Sequence, residues 1–440
     1  MRPLYRKEDA VNKLTLILFL TLAFGSTSLF SQELPRPSMA RHETIGSLPS
    51  DYNLKLGPVL MSVNATLSGE YVDNVALTNS GTKSDFIISP QLGVTASWPV
   101  TTENTLRLST SIGYSKYLIH PQYDTGNVLI APDSVLSFDI YVGDFKINLH
   151  DEFSYQQDPS TVGSISNVVN FNRFQNIAGV GVIWDLNKLV LTFNYDHITF
   201  ISDSLQSVDG TDLSNPGNIN YEADQVSASA AYSVTSTVIV GGEVAASMRY
   251  YDDYDINDTG LSVGPFVRVE VTPNFKVSAS AGYQEISTES GNLTAAEASI
   301  PNNVTPSLGV GTQNSYYANL TLDHRLNKYY TDRLSGGHEL ELDVFSQVSD
   351  VTYVSYTSSW KVNHDLNLAF NINYQDVSSP STSNIADSNY DLFSAGVQAS
   401  FPVTKSISGA VLYQFYDKFN SPSVNDYQQN RVGLILNYRF

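Results

Sequence analysis

From Gly57 to Phe440 the chain repeats one pattern: an alternating apolar and polar segment, a short polar connection, another such segment, then a longer polar loop. The last segment, Asn430 to Phe440, shows it most plainly. Val432, Leu434, Leu436, Tyr438 and Phe440 share one parity, while Arg431, Asn437 and Arg439 fall on the other. A period of two puts successive side chains on opposite faces of a β-strand. The last residues of a soluble domain usually fray. A tight alternation ending on an aromatic at the terminal carboxylate instead matches the closing strand of a bacterial outer-membrane barrel.

The other segments follow suit. Val59, Met61, Val63, Ala65 and Leu67 share a face, as do Phe86, Ile88, Leu92, Val94, Ala96 and Trp98. Short connections fall at 99–104, Gly143-Asp144, 185–188, 235–237, 272–274, 327–333, 363–365 and 402–405. Longer loops are read at 72–85, 115–133, 156–170, 202–220, 252–259, 286–312, 377–388 and 417–429. One short connection, read at Ser349-Asp350, falls where a long one is due. The count is about 18 strands, with 16 to 18 compatible, an even number within the range of single-chain bacterial barrels. The expected fold is therefore all-β: a transmembrane antiparallel up-and-down β-barrel with short periplasmic turns and longer outer loops.

Composition permits this. Only 42% of residues are hydrophobic, and no apolar run reaches the roughly 18 residues of a spanning helix. A barrel needs lipid-facing residues only at alternate positions. The 27 tyrosines and 20 phenylalanines suit strands and membrane interfaces. Absence of cysteine rules out disulfides and thiolate metal sites and suits an exported protein. A formal charge of −20 argues against nucleic-acid binding, which wants clustered Lys and Arg. At the N-terminus Arg2, Arg6, Lys7 and Lys13 precede the apolar run Leu14 to Phe24 and the small residues Gly25, Ser26 and Ser28. That is the form of a secretory signal peptide. The expected organisation is a signal peptide over 1–32, a proline-rich periplasmic lead-in over 33–56 and the barrel over 57–440.

Trp98, Trp184, Trp360 and Phe401 each stand just before a short connection, where a periplasmic aromatic girdle belongs. The passage Tyr52 to Leu77, YNLKLGPVLMSVNATLSGEYVDNVAL, ends its first strand in Tyr71, Asp73 and Asn74. It resembles the opening of the putative beta-barrel porin type two family, which includes outer-membrane proteins of exopolysaccharide gene clusters. The resemblance implies a barrel over nearly all of the mature chain and carries no catalytic motif.

If the apolar parity meets lipid, the other lines the lumen. Arg107, Glu243, Arg249, Arg268, Glu270 and Lys276 are then pore-lining candidates, with Asp323, Arg325, Glu339, Glu341, Asp343, Arg431 and Arg439. A midplane Arg or Lys facing lipid would cost about 2–4 kcal/mol, so these charges fix the sidedness. Mixed rows of this kind are ordinarily cross-strand ion pairs; a transverse field across the lumen is the sharper reading. Asp151 breaks the pattern by sharing parity with Phe145, Ile147, Leu149 and Phe153, and a β-bulge would account for it.

No serine or histidine motif points to catalysis, and no cofactor is expected. His324 and His338 are expected near one turn, more as interfacial residues than as a metal pair. Asp253, Asp255 and Asn257 follow the alternate spacing of a calcium loop, but Asp258 stands where that loop requires Gly, so a solvated acidic loop is favoured. The functional expectation is a non-enzymatic outer-membrane channel for passive passage of small hydrophilic solutes. From the resemblance, a link to exopolysaccharide export follows. The alternatives are a loop-mediated surface or adhesion barrel with a closed lumen and, last, a lipid-modifying enzyme. Expected partners are outer-membrane lipid, lipopolysaccharide, the transported solute or polysaccharide, and the barrel-assembly machinery, whose insertion signal would be Tyr438 and Phe440.

Overall fold

The computed structural model describes residues 52–159, 162–207, 219–252, 256–290, 311–343, 346–379, 389–420 and 425–440. The stretch read as a signal peptide, and the lead-in up to residue 51, lie outside the described residues. Twenty-one strands form one antiparallel sheet. They are β1 (Leu54–Leu56), β2 (Val59–Val72), β3 (Asp85–Pro99), β4 (Thr105–Gly113), β5 (Lys116–Tyr117), β6 (Leu129–Ile130) and β7 (Val135–Val142). Next come β8 (Phe145–Gln156), β9 (Val168–Leu186), β10 (Leu189–Ser207), β11 (Tyr221–Ser233), β12 (Val238–Tyr251), β13 (Ile256–Thr272) and β14 (Phe275–Ser290). The series ends with β15 (Gly311–Asn327), β16 (Tyr330–Leu342), β17 (Val348–Lys361), β18 (Asn367–Ser378), β19 (Tyr390–Pro402), β20 (Ile407–Phe419) and β21 (Tyr427–Arg439).

Three short pieces, β1, β5 and β6, flank the wall, leaving the eighteen strands expected. Each wall strand pairs with its chain neighbours, and β21 pairs with β2 from Asn64↔Arg439 to Val72↔Arg431. That seam closes the barrel, so neither terminal strand is left with a bare edge. β1 belongs to the lead-in read as irregular, but it is a strand. It pairs with β2 at Leu54↔Met61, while the Asn53 side chain bonds the backbone of Val63 next to the chain end.

Short connections gather at one rim, here the turn rim, and long ones at the other, the loop rim. Several sequence boundaries shift. The 327–333 turn tightens to two residues because β16 already begins at Tyr330. β13 takes in Ile256–Thr259, and β10 runs on to Ser207. Ser349 and Asp350 are no connection; both lie within β17, and the link from β16 is 343–347.

Parity divides the wall. Val432, Leu434, Leu436 and Tyr438 are exposed on the outside, while Arg431 on the opposite parity is half-buried inside. No Lys or Arg in the described wall strands takes the outward parity. Asp151 does face outward, without the bulge expected of it. The β8–β9 register is unbroken, and Asp151 Oδ1 accepts a hydrogen bond from Asn176 Nδ2 on the same face at 2.5 Å. The neighbouring amide thus meets part of the carboxylate's need for a donor, which makes an outward position tenable.

Candidate functional site: the lumen

Three segments at the loop rim fold into the barrel. Residues 157–159 and 162–167, between β8 and β9, reach the far wall: Lys418 Nζ on β20 donates to Gly163 O at 2.9 Å and Ser166 Oγ at 3.1 Å. Arg431 Nη2 on β21 donates to Asp158 Oδ2 at 2.7 Å. Because β2, β3, β4 and β7 stand between β21 and β8 in the wall, these contacts cross the interior. Residues 73–84 also turn inward, where Leu77 packs with Leu392, Tyr416 and Tyr427. The two segments meet where the Asn167 N–H donates to Leu77 O at 3.0 Å.

The third is the β16–β17 hairpin. β16 pairs with β15 only as far as Ala318↔His338, then bends away from the wall. Leu340 and Leu342, on the outward parity, are therefore buried with Ile286 and Val348 inside the barrel. Gln284 on β14 holds Leu340 through both backbone groups, each at 2.9 Å. Ser346 Oγ donates to the Asp258 carboxylate, 3.0 and 2.9 Å from its two oxygens, and Arg249 Nη1 donates to Asp343 O at 3.0 Å. The break in the alternation of lengths thus belongs to the β16–β17 link, whose described residues Asp343 and Ser346 are held by Arg249 and Asp258 inside the barrel. Each infolded segment carries one non-glycine residue at positive φ: Leu77 at 51°, Asn167 at 61° and Ser346 at 60°. Such backbone is uncommon, most of all for a bulky residue such as Leu.

The expected pore-lining residues sort by level. Arg249, Glu339, Glu341 and Asp343 belong to the infolded region, with Arg249 stacked 4.5 Å over Tyr221. Arg431 joins them there, 3.9 Å from Glu70 through Nε. Glu243 is buried lower down and accepts from Tyr317 Oη at 3.0 Å. Arg268 lies 5.5 Å over Phe266. Arg107 pairs with Asp139, which also takes Lys146 at 3.6 Å. Nearer the turn rim, Glu270, Lys276, Asp323 and Arg333 stand directly opposite one another across β13–β16, alternating in sign. Arg333 Nε reaches Asp323 at 2.6 Å. Arg325 and Arg439 sit at the turn ends of β15 and β21. The interior is therefore packed towards the loop rim and polar with exposed charge, as at Lys276 and Arg325, towards the turn rim.

The sequence reading passed over Arg173, Lys418 and Asp158, and took Asp258 only as the residue that breaks a calcium-loop spacing. The last three lay in stretches assigned to loops, and Arg173 directly follows one. Inward parity with Tyr416 was the available signal for Lys418.

Outside, Trp98, Trp184, Trp360 and Phe401 are exposed near the turn rim, and Phe145 stacks on Trp184 at 5.1 Å. Tyr438 and Phe440 meet edge to face at 4.9 Å. A second aromatic level near the loop rim was not anticipated. There Tyr195 donates to Asp224 at 2.8 Å and Tyr413 to Asn430 at 2.7 Å. His324 and His338 do not meet. His324 pairs with Asp332 at 3.1 Å, and His338, opposite Ala318, stacks on Tyr316 at 4.3 Å. Asp253 and Asp255 lie outside the described residues, and Asn257 is in β13. Among the described residues no group of three or more His, Asp or Glu is placed to hold a metal.

A family model described as "Putative beta-barrel porin 2" matches residues 54–303. No curated protein sequence matches the chain. Solved structures similar to it include Pseudomonas aeruginosa OccK2 (OpdF), at 9% identity and TM-score 0.45, covering 88% of this chain and 98% of that one. Pseudomonas aeruginosa OpdK with vanillate is 11% identical at TM-score 0.44, covering 86% and 99%. Similarity of that order carries no argument, and the fold rests on the strand pairing itself.

Proposed function

Because this chain belongs to the putative beta-barrel porin 2 family, we propose that it is an outer-membrane channel for passive passage of hydrophilic solutes. One observation carries the reading: every Lys and Arg of the eighteen wall strands takes the inward parity, whereas among the described residues the outward parity is apolar and aromatic with carboxylates and histidines as its only ionisable groups besides tyrosine, such as Asp151, Asp224 and His197. A lipid-facing cation at mid-membrane costs about 2–4 kcal/mol, so a wall sorted in this way suits lipid outside and water inside. Eighteen strands are wide enough for an aqueous channel unless loops fill it. The turn rim is then periplasmic and the loop rim external, set among lipopolysaccharide. Flux follows the solute gradient, with pore width and lining charge setting selectivity. Export of an exopolysaccharide is the finer form of the proposal, drawn from the kind of gene cluster in which such barrels occur.

The three infolded segments favour a second reading, a surface barrel closed towards the outside. Swelling of liposomes loaded with a large polymer separates the two. On addition of an iso-osmotic small sugar or amino acid, channel-bearing liposomes should swell at a rate that falls with solute size. Liposomes that stay as tight as protein-free controls would favour the closed barrel.

A further inference from the structure

Charge is unevenly distributed around the lumen. On β17–β21, β2 and β3 it stands only near the rims: Lys361 and Arg439 at the turn rim, and Lys418, Arg431, Glu70 and Asp85 at the loop rim. Between them the inward positions are Ser, Thr, Asn, Gln and Gly with a few apolar or aromatic residues. The remaining arc, β4 and β7–β16, carries charge at several levels, from Lys276 near the turn rim to Asp258 near the loop rim. A single hydrogen-bonded row shows the change. Glu270, Lys276, Asp323 and Arg333 alternate in sign across β13–β16. The same row continues as Thr357, Asn371, Gly396 and Gln414 across β17–β20 before it meets Arg431.

The neutral arc is also recessed. Asn371 faces Gly396 across its strand pair, and a Cβ added to that glycine would lie 2.3 Å from Asn371 Oδ1. Asn64 lies over Gly93 in the same way, at 2.6 Å. These amides therefore lie across the facing glycines, in space that a larger residue there would fill. Among the described residues the side-chain amides of Gln91, Asn371 and Gln375 have no hydrogen-bond partner in the protein. All three are at least partly exposed.

We infer that this arc, from β17 through the seam to β3, is the contact surface for uncharged, hydroxyl-rich solutes. The inference rests on the channel reading and specifies what the channel prefers. An amide offers both a donor and an acceptor, as a sugar hydroxyl does, so solute and wall exchange water for like partners. Against the charged arc the same solute displaces more tightly held water, which a neutral hydroxyl only partly replaces. Each neutral hydrogen bond adds little net affinity. The arc thus supplies many weak contacts, which lets a solute enter and leave.

The test compares maltohexaose with polyethylene glycol of equal hydrodynamic size as blockers of the ion current through the refolded full chain. A combined Gln91→Leu, Asn371→Leu, Gln375→Leu variant removes the free amides without changing charge. Met248→Leu on the outward face is the control, and heat-modifiable gel mobility verifies that each variant is folded. Maltohexaose should block wild type and the control at about tenfold lower concentration than the polymer, as a few weak hydrogen bonds allow. In the triple variant that difference should vanish. Equal block by the two polymers in wild type, or a difference that survives in the triple variant, overturns the inference. If no current is seen, the channel reading fails, and saturation-transfer NMR with maltohexaose decides this point separately. Binding lost in the triple variant upholds the arc; no binding to wild type overturns it.

Discussion

Replacing Lys418 with Met removes the ammonium that fastens the 162–167 segment to the far wall while keeping a side chain of similar reach. The lysine is 3% exposed, donates to Gly163 O at 2.9 Å and Ser166 Oγ at 3.1 Å, and lies 4.3 Å from the Tyr390 ring centroid. Hydrogen bonds to a charged group contribute about 1.5–3 kcal/mol each, and a desolvated cation–π contact about 2 kcal/mol. Burying an ammonium costs several kcal/mol in the opposite direction. The expected net loss of attachment is about 2–4 kcal/mol, the same order as leaving the two acceptors without a donor. At about 1.4 kcal/mol per factor of ten, the ratio of attached to detached segment falls roughly 30- to 700-fold. The Arg431–Asp158 pair and the burial of Ile165 remain, so the segment should detach in excursions rather than permanently. Single-channel recording should show brief visits to a higher conductance level that wild type lacks. A current trace and proteolytic protection of 162–167 both identical to wild type would refute the assignment of Lys418 as the fastening.

Further outcomes follow from the wall. Leu434→Arg, on the outward face, should lose about 2–4 kcal/mol in denaturant unfolding from bilayers, whereas Asn437→Arg, on the inward parity, should lose little; equal losses would contradict the sidedness. Gly264→Ala puts a Cβ 2.1 Å from Ala281 O and 2.5 Å from Tyr317 Oη, which breaks the Tyr317–Glu243 hydrogen bond. Its thermal midpoint should fall by the equivalent of about 1–3 kcal/mol, and an unchanged midpoint would show that the wall relaxes freely. Asp85, wholly buried, accepts from the backbone of Ile119 at 2.9 Å and of His120 at 2.8 Å, and pairs with His120 Nδ1 at 2.9 Å. Asp85→Ala should therefore speed amide exchange at Ile119 and His120 at least tenfold, each stranded donor costing about 1–3 kcal/mol; unaltered exchange would mean that other contacts hold the loop. Deleting Phe440 should lower the yield of folded barrel more than the conductance of the molecules that do fold.

The wall was legible in the sequence because lipid enforces a period of two on every strand. Val432 to Phe440 shows it residue by residue, and the count of eighteen strands followed. The interior near the loop rim was not legible. Lys418, Asp258 and Asp158 gain their meaning from contacts across the barrel, which no local period encodes. Leu340 and Leu342 were misleading for the same reason: their parity says outward, yet the strand leaves the wall at His338 and carries them inside. The brevity of the 343–347 link was the trace of that inward bend, visible only as a break in the rhythm of lengths. Asp151 was legible as an exception but not as a solution, because Asn176 stands opposite Phe153 on the next strand.

The central claim is that the polar parity lines a water-filled, conducting lumen while the apolar parity meets lipid. The chain has no cysteine of its own, so single introduced thiols report without background. Asn371→Cys and Ile372→Cys, adjacent on β18 with opposite parity, are recorded in planar bilayers during exposure to a charged, membrane-impermeant thiol reagent. The current through Asn371→Cys should step down on labelling, and that through Ile372→Cys should stay constant. Equal responses in the two variants, or no current from either, would contradict the claim.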